Sequence, residues 1–207
     1  MEFYRNPEEI KFTSPLPRLD FLQEIPKEAK ILDVGCGYGR VLKAMYEFGY
    51  TNLFGIDIST RLINRAKSYC PYAQYSVDNP INFSNDGTTY DVILLFGVLE
   101  YFMGTQERQN LVQSLYKLAN PSAILYIQTF TIDYLYINYY LKSFIKGLPW
   151  GSFTLSNGLS LFHSSPSEVD KSVSKYFSKV HSSKEKFLTW TSKEVNGYIG
   201  LYKGIKE

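Results

Sequence analysis

Cysteine, histidine and long apolar runs are all scarce in this chain. Cys36 and Cys70 are the only cysteines among 207 residues, too few for a disulfide framework or a C-x-x-C metal site, so a reducing, intracellular setting is expected. No uncharged apolar run reaches the length of a membrane span, and the segment from Met1 to Pro7 has no basic stretch leading into an apolar one, which excludes a signal peptide from the expectation. Neither sign of charge is in excess: 22 basic and 20 acidic residues leave a net +2, without the field of a polyanion binder. Repeats and low-complexity segments are missing too. The expectation is a soluble cytoplasmic protein with no nucleic-acid partner and no stable membrane insertion, either a monomer or a homodimer.

What is present is 44% hydrophobic and 16% aromatic, with 18 Tyr and 14 Phe. That suffices for one domain over residues 1–207. Its expected parts are an arm (1–29), a ligand-binding core (30–131), an insertion that could act as a lid (132–164), and a closing helix with strands (165–207). Pro7, Pro15, Pro17 and Pro26 break the arm, leaving room for short helices around Pro7 to Phe12 and Leu16 to Glu24. Phe3, Tyr4 and Arg18 are candidates to cover a ligand.

The segment the rest is built around is Ile31-Leu32-Asp33-Val34-Gly35-Cys36-Gly37-Tyr38-Gly39-Arg40. An apolar run drops into three alternate glycines and turns at once into a helical pattern at Val41, Leu42, Ala44, Met45 and Phe48. Glycines permit positive φ and close approach of a ligand to the backbone, while the following helix N-terminus offers free N–H groups. The spacing is G-x-G-x-G rather than the G-x-G-x-x-G of dinucleotide sites.

Further strands are expected at Asn52 to Ile58, Ala73 to Val77, Asp91 to Phe96 and Ala123 to Phe130. Helices should lie between them: one capped by Ser59 or Thr60 and one from Thr105 that Pro121 ends. The run at Asp91 to Phe96 is apolar without alternation, as a central parallel strand requires. Ile132 to Phe162 interrupts the pattern with Tyr134, Tyr136, Tyr139, Tyr140, Phe144 and Trp150. Ser165-Pro166-Ser167-Glu168 then forms a capping box, and Lys179 to Thr191 and Tyr198 to Ile205 read as an antiparallel pair around Asn196-Gly197. The fold class is α/β, a Rossmann-like, mostly parallel seven-stranded sheet flanked by helices, with an aromatic insertion after strand five.

Acids close three successive strands: Asp33, Asp57 and Asp78. Asp57 lies 18 residues beyond Gly39, placed to accept hydrogen bonds from a ribose. The set Asp33-Val34-Gly35-Cys36-Gly37-Tyr38-Gly39, Gly55-Ile56-Asp57-Ile58-Ser59, Val77-Asp78 and Asp91 through Phe102 resembles the class I S-adenosylmethionine-dependent methyltransferases of the small-molecule type, most strongly over residues 29 to 130.

The resemblance implies S-adenosylmethionine as cofactor and S-adenosylhomocysteine as product. Gly35, Cys36, Gly37 and Gly39 would lie against the methionine part, with Asp33 positioning that end and Phe96 and Gly97 meeting the amino group. Asp57 would take the ribose hydroxyls, Ile58 the adenine face, and Asp78 with Asn79 the exocyclic amine. Leu99 and Glu100 would line the path to a small-molecule acceptor methylated on O, N or C. The family frequently has histidine where Tyr101 stands.

For an oxygen acceptor, Glu100, Asp133, His163 and His181 are candidate bases; Tyr101, Tyr134, Tyr139 and Trp150 are candidate acceptor-binding rings. No metal constellation is visible. A non-catalytic S-adenosylmethionine-binding partner or regulator stays open as the alternative, as do an RNA or protein methyltransferase and an NAD-dependent dehydrogenase. Against the last stand the early third glycine and an Asp78 without a task. Against nucleic-acid amino methylation stands Phe96-Gly97-Val98-Leu99, where an Asn/Asp-Pro-Pro-aromatic motif would be needed.

Overall fold

The structure is a computed structural model that describes residues 15–83, 87–156, 158–189 and 192–205. Seven strands form one sheet in the order β3-β2-β1-β4-β5-β9-β8. The first five are β1 (Ile31–Val34), β2 (Leu53–Asp57), β3 (Gln74–Val77), β4 (Tyr90–Phe96) and β5 (Ala119–Phe130). They are mutually parallel. Only β9 (Glu194–Gly204) runs the other way, antiparallel to both β5 and β8 (Phe177–Leu188). The chain winds from β1 out to β3 and then restarts beside β1 with β4. That reversal makes the carboxyl ends of β1 and β4 the switch point of the sheet, the place where ligands bind in such sheets.

Both faces of the sheet are covered, which is why the central strands read as unbroken apolar runs. On one face Ile93 and Leu95 of β4 pack with Leu111, Val112 and Leu115 of α3 (Thr105–Lys117) and with Val169 and Val173 of α5 (Pro166–Val173). On the other, Val92, Leu94 and Phe96 meet Val41, Leu42 and Met45 of α1 (Arg40–Glu47) and Ile63 of α2 (Thr60–Tyr69). Start signals act as the sequence suggests. Ser59 caps α2 through the Leu62 N–H, and Ser165 and Glu168 form a reciprocal capping box on α5.

Several boundaries differ from expectation. α3 ends at Lys117, and Pro121 belongs to β5 instead of stopping the helix. Pairing with β4 skips there from Tyr90↔Ala119 to Val92↔Ile124, so proline sits in an irregularity where no ladder N–H is needed. Asn196-Gly197 is not the terminal turn. Both lie inside β9, and the chain reverses between Thr189 and Lys193, whose backbone groups bond at 2.8 Å. Glycine is required at 197 for a different reason: a Cβ there would stand 2.4 Å from the ring of Phe187 on the neighbouring strand.

The helix expected over Leu16 to Glu24 is reduced to a 3₁₀ turn, Leu19–Phe21. The helix proposed for Pro7 to Phe12, and Phe3 and Tyr4, lie outside the described residues. The Arg18 guanidinium binds Asp20 and Glu185 and stacks over Phe21.

The insertion is a folded unit. It holds a 3₁₀ turn (Tyr134–Tyr136), α4 (Ile137–Ile145) and a hairpin of β6 (Ser152–Thr154) with β7 (Ser160–Phe162). It leaves and rejoins the sheet side by side, through a parallel bridge between Thr131 and Ser164. Among the described residues no helix is long and apolar enough to cross a membrane.

Candidate functional site

Four strand ends place the candidate ligand groups in one row. At the end of β1 the chain passes through Gly35, Gly37 and Gly39 at φ 70°, 55° and 84°. These values lie in the left-handed region, which costs residues with a Cβ ~1–2 kcal/mol. The Gly35 and Cys36 N–H groups both donate to Ile56 O at 2.8 and 3.0 Å, so the loop is an extension of the β1–β2 ladder. Gly39 is the N-cap of α1 and supplies no side-chain acceptor to the first turn of the helix.

Asp57 closes β2 and ties that loop down. Its Oδ2 accepts from Gly37 N–H at 3.0 Å and its Oδ1 from Ser59 N–H at 2.8 Å. Burial raises its pKa, and these two donors oppose the rise. Each oxygen keeps a second lone-pair direction for a ligand hydroxyl. Beyond it Ile58 is 62% exposed, an apolar side chain left open beside the loop. Just past β3 the Asp78 N–H donates to Asp57 O at 3.1 Å, which sets Asp78 next in the row, and its Oδ1 accepts from Asn79 N–H at 2.7 Å.

Asp33 is fully enclosed in β1, and its Oδ2 has no hydrogen-bond partner. Burial pushes its pKa up to about 8, with Asp57 adding to the rise and Arg40 opposing it. Beside it Cys36 is buried, with its thiol pushed further up by the same low-dielectric surroundings and the nearby acids. On β4, Phe96 is buried, and Gly97 turns with φ 67° and nothing within 4 Å of where a Cβ would stand. The Gly97 N–H donates to Gln128 O at 2.9 Å.

Three of the four candidate bases are enclosed, and only His181 is exposed. Glu100 Oε1 accepts from Phe130 N–H at 2.7 Å, while Oε2 has no partner. Burial raises its pKa to about 7 against the pull of that N–H. Asp133 is a structural tie. One oxygen accepts from Leu135 N–H at 2.9 Å, capping the turn after β5, and the other from Asn196 N–H at 2.8 Å, with Lys186 Nζ at 3.7 Å. His163 lies among Phe153, Tyr136 and Phe130, its Nδ1 2.7 Å from Tyr140 Oη. Desolvation lowers its pKa to about 3, which leaves a weak acceptor of protons. His181 is spent against the ring of Phe21.

The aromatic candidates do not form a closed roof. Tyr134 is 75% exposed and Tyr139 53%, while Trp150 leans on Tyr140 and Phe144. Tyr140 is the ring that turns inward. Tyr101 follows Glu100 in the 3₁₀ turn Leu99–Tyr101 and is partly exposed.

Three residues that the sequence reading passed over shape this edge. Gln128 is fully buried, its Oε1 without a partner, and its backbone holds Gly97. Val98 fills the space behind Gly35, and Tyr75 Oη stands against Gly39. A glutamine closing the apolar run Ile124-Leu125-Tyr126-Ile127 was the one available signal, since a buried amide in a strand needs a reason. A separate cavity of about 380 Å³, bounded by Ile25, Asp91 and Ser122 among others, opens at the amino ends of β4 and β5, away from this row.

The buried acids make the ligand-free protein sensitive to base. Asp33 and Glu100 have folded pKa values above the unfolded ones, so folding takes up protons, and stability declines with rising pH from the ordinary carboxyl range up to about 7 for Glu100 and about 8 for Asp33. Above pH 6.5 His163 adds nothing, being neutral in both states. Melting temperatures should therefore fall from pH 6.5 to about 8 and level off above it, and Asp33→Asn, a neutral isostere, should remove the fall between about pH 7 and 8. An unchanged slope in that variant would mean that Asp33 is ionised in the folded protein.

Comparison with known proteins bears on the fold. A structure of an S-adenosylmethionine-dependent methyltransferase from Methanosarcina mazei superposes with a TM-score of 0.86, at 21% identity, covering 93% of this chain and all of that one. The Bradyrhizobium japonicum N-methyltransferase NodS, solved with S-adenosylhomocysteine, superposes at 0.63 and 13% identity, covering 86% of this chain and 79% of that one. Among curated proteins, a ubiquinone biosynthesis O-methyltransferase of Actinobacillus pleuropneumoniae is 28% identical over 132 residues, 58% of this chain and 54% of its own length. The chain thus spans about half the length of the curated relatives it matches. The family profile described as "Methyltransferase domain" matches residues 8–196, and with nearly the whole chain inside that match and the fold of the S-adenosylmethionine-dependent enzymes around it, the protein belongs to the methyltransferase-domain family.

Proposed function

We propose that this protein transfers a methyl group from S-adenosylmethionine to an oxygen of a small-molecule acceptor. The observation that carries the proposal is a row of carboxylates at three adjacent strand ends, Asp33, Asp57 and Asp78, beside a left-handed glycine loop. The fit is chemical. The cofactor presents an ammonium, two ribose hydroxyls and an exocyclic amine, all hydrogen-bond donors. This edge offers buried acceptors, with Asp33 Oδ2, Glu100 Oε2 and Gln128 Oε1 lacking any donor. Buried acceptors left unmatched cost ~1–3 kcal/mol each, which a donor-rich ligand would recover.

In this reading Asp57 holds the ribose, Asp78 and Asn79 the adenine edge, exposed Ile58 the adenine face, and Asp33 with the loop the amino-acid end. Phe96 and Gly97 meet that end from β4, where open space at Gly97 leaves room for reacting atoms. The cofactor, when bound, supplies a methyl group on an already activated sulfonium leaving group. The protein must then chiefly hold the acceptor in line and exclude water.

For an oxygen acceptor Glu100 is the favoured base. Its pKa near 7 suits proton removal at neutral pH, and one oxygen is held by Phe130 while the other is uncommitted. An oxygen acceptor is favoured because the curated relatives are named as O-methyltransferases of ubiquinone biosynthesis. Incubation of the full chain with methyl-labelled S-adenosylmethionine and a fractionated small-molecule extract should place label on a hydroxyl-bearing compound. Tight cofactor binding with no labelled product from any fraction would favour a non-catalytic binding role instead.

A further inference from the structure

α4 wears its apolar stripe on the outside. A helix packed on a domain buries its apolar positions against the core, but α4 buries only Tyr140 and Ser143. Ile137, Leu141 and Ile145, spaced i, i+4, i+8 on one line, are 40%, 44% and 82% exposed, and Phe144 beside them is 57% exposed. Lys142 and Lys146 flank the same line. From residue 134 to residue 167 the sequence holds no Asp or Glu at all, so the only formal side-chain charges that can stand on this segment at neutral pH are positive.

We infer that α4 is an interfacial helix that docks this protein onto an anionic lipid surface, with Ile137, Leu141, Phe144 and Ile145 entering the headgroup layer and Lys142 and Lys146 meeting lipid phosphates. A contiguous exposed apolar patch marks an interaction surface, and charge complementarity selects the occupant. Apolar side chains bordered by lysines are the pattern of helices that lie in the plane of a membrane. A second copy of the chain fits worse, because a two-fold contact would bring the lysines of both copies together with no carboxylate in 134–167 to neutralise them. The insertion starts after the carboxyl end of β5, so docking through α4 would place the lipid layer on the glycine-loop side of the sheet. The inference concerns binding alone and does not depend on which acceptor is methylated.

The test is sedimentation of the full chain with vesicles, without cofactor. The unchanged protein should bind vesicles containing about one-third phosphatidylglycerol at least ~10-fold more tightly than pure phosphatidylcholine, and added salt should erode the difference. Ile145→Glu should abolish pelleting with both, whereas Lys142→Glu combined with Lys146→Glu should lower binding to the anionic vesicles alone. All three positions are exposed, so melting temperatures should match that of the unchanged protein, and Val180→Glu, an exposed site on β8, should leave vesicle binding intact. Absence of binding to anionic vesicles, or full binding by Ile145→Glu, would overturn the inference. So would a dimer that Ile145→Glu dissociates without any vesicle binding, which would make the stripe a contact between copies.

Discussion

A Gly35→Ala variant is expected to lose at least ~100-fold in cofactor affinity and ~2–5 kcal/mol of stability. Two independent costs meet at this position. The backbone stands at φ 70°, where any residue with a Cβ is penalised by ~1–2 kcal/mol. The new methyl would also lie 2.5 Å from Val98 Cγ2, an overlap that a packed core relieves only by moving, at a further ~1–3 kcal/mol. Val98 belongs to the core behind β4, so the loop must give way instead, and the loop is what faces the ligand. The two costs are separable. Adding Val98→Ala should recover part of the overlap cost but none of the backbone cost, giving a measurable coupling in a double-mutant cycle. Denaturant unfolding and titration calorimetry of the four proteins check both figures; native affinity in Gly35→Ala would show that the loop does not contact the cofactor.

The second large effect is expected at Asp57. Its carboxylate performs two tasks, holding the Gly37 and Ser59 N–H groups and, in the proposed function, the ribose. Asp57→Ala should therefore cost ~1–3 kcal/mol of stability from the two abandoned donors. It should also cost ~1.5–3 kcal/mol of cofactor binding, about 10- to 150-fold, the scale of hydrogen bonds to a charged acceptor. Asp57→Asn keeps one acceptor oxygen and should lose less stability than the alanine variant while still binding weakly. If Asp57→Ala folds and binds the cofactor as tightly as the unchanged protein, the ribose is elsewhere.

The parts of this protein that local chemistry dictates were legible in the sequence. Buried parallel strands announce themselves as unbroken apolar runs, Ser59 and Ser165 with Glu168 mark helix starts, and three acids fall at adjacent strand ends as the sequence spacing suggests. What was misread depends on distant partners. Asn196-Gly197 looks like a hairpin turn, yet Gly197 answers to the ring of Phe187 across the ladder. Asp133 and His163 have the right chemistry for a base, but tertiary packing spends Asp133 on the N–H groups of Leu135 and Asn196 and encloses His163 among rings. Nothing in the spacing of the insertion's rings told which would turn inward, and only Tyr140 among the tyrosines of α4 does so. Gln128 carried a signal, a polar side chain in a buried strand, whose amide donates to Tyr126 Oη two residues back.

The central claim is that a sulfonium nucleoside lies across the carboxyl edge of β1, β2, β3 and β4. Titration calorimetry of the full chain with S-adenosylhomocysteine and, separately, with NADH tests it most directly, with Asp57→Ala as the comparison. The account predicts one S-adenosylhomocysteine bound per chain, at least ~10-fold weaker binding by the variant, and no heat from NADH. Binding of NADH in place of S-adenosylhomocysteine, or no nucleoside binding at all, would contradict it.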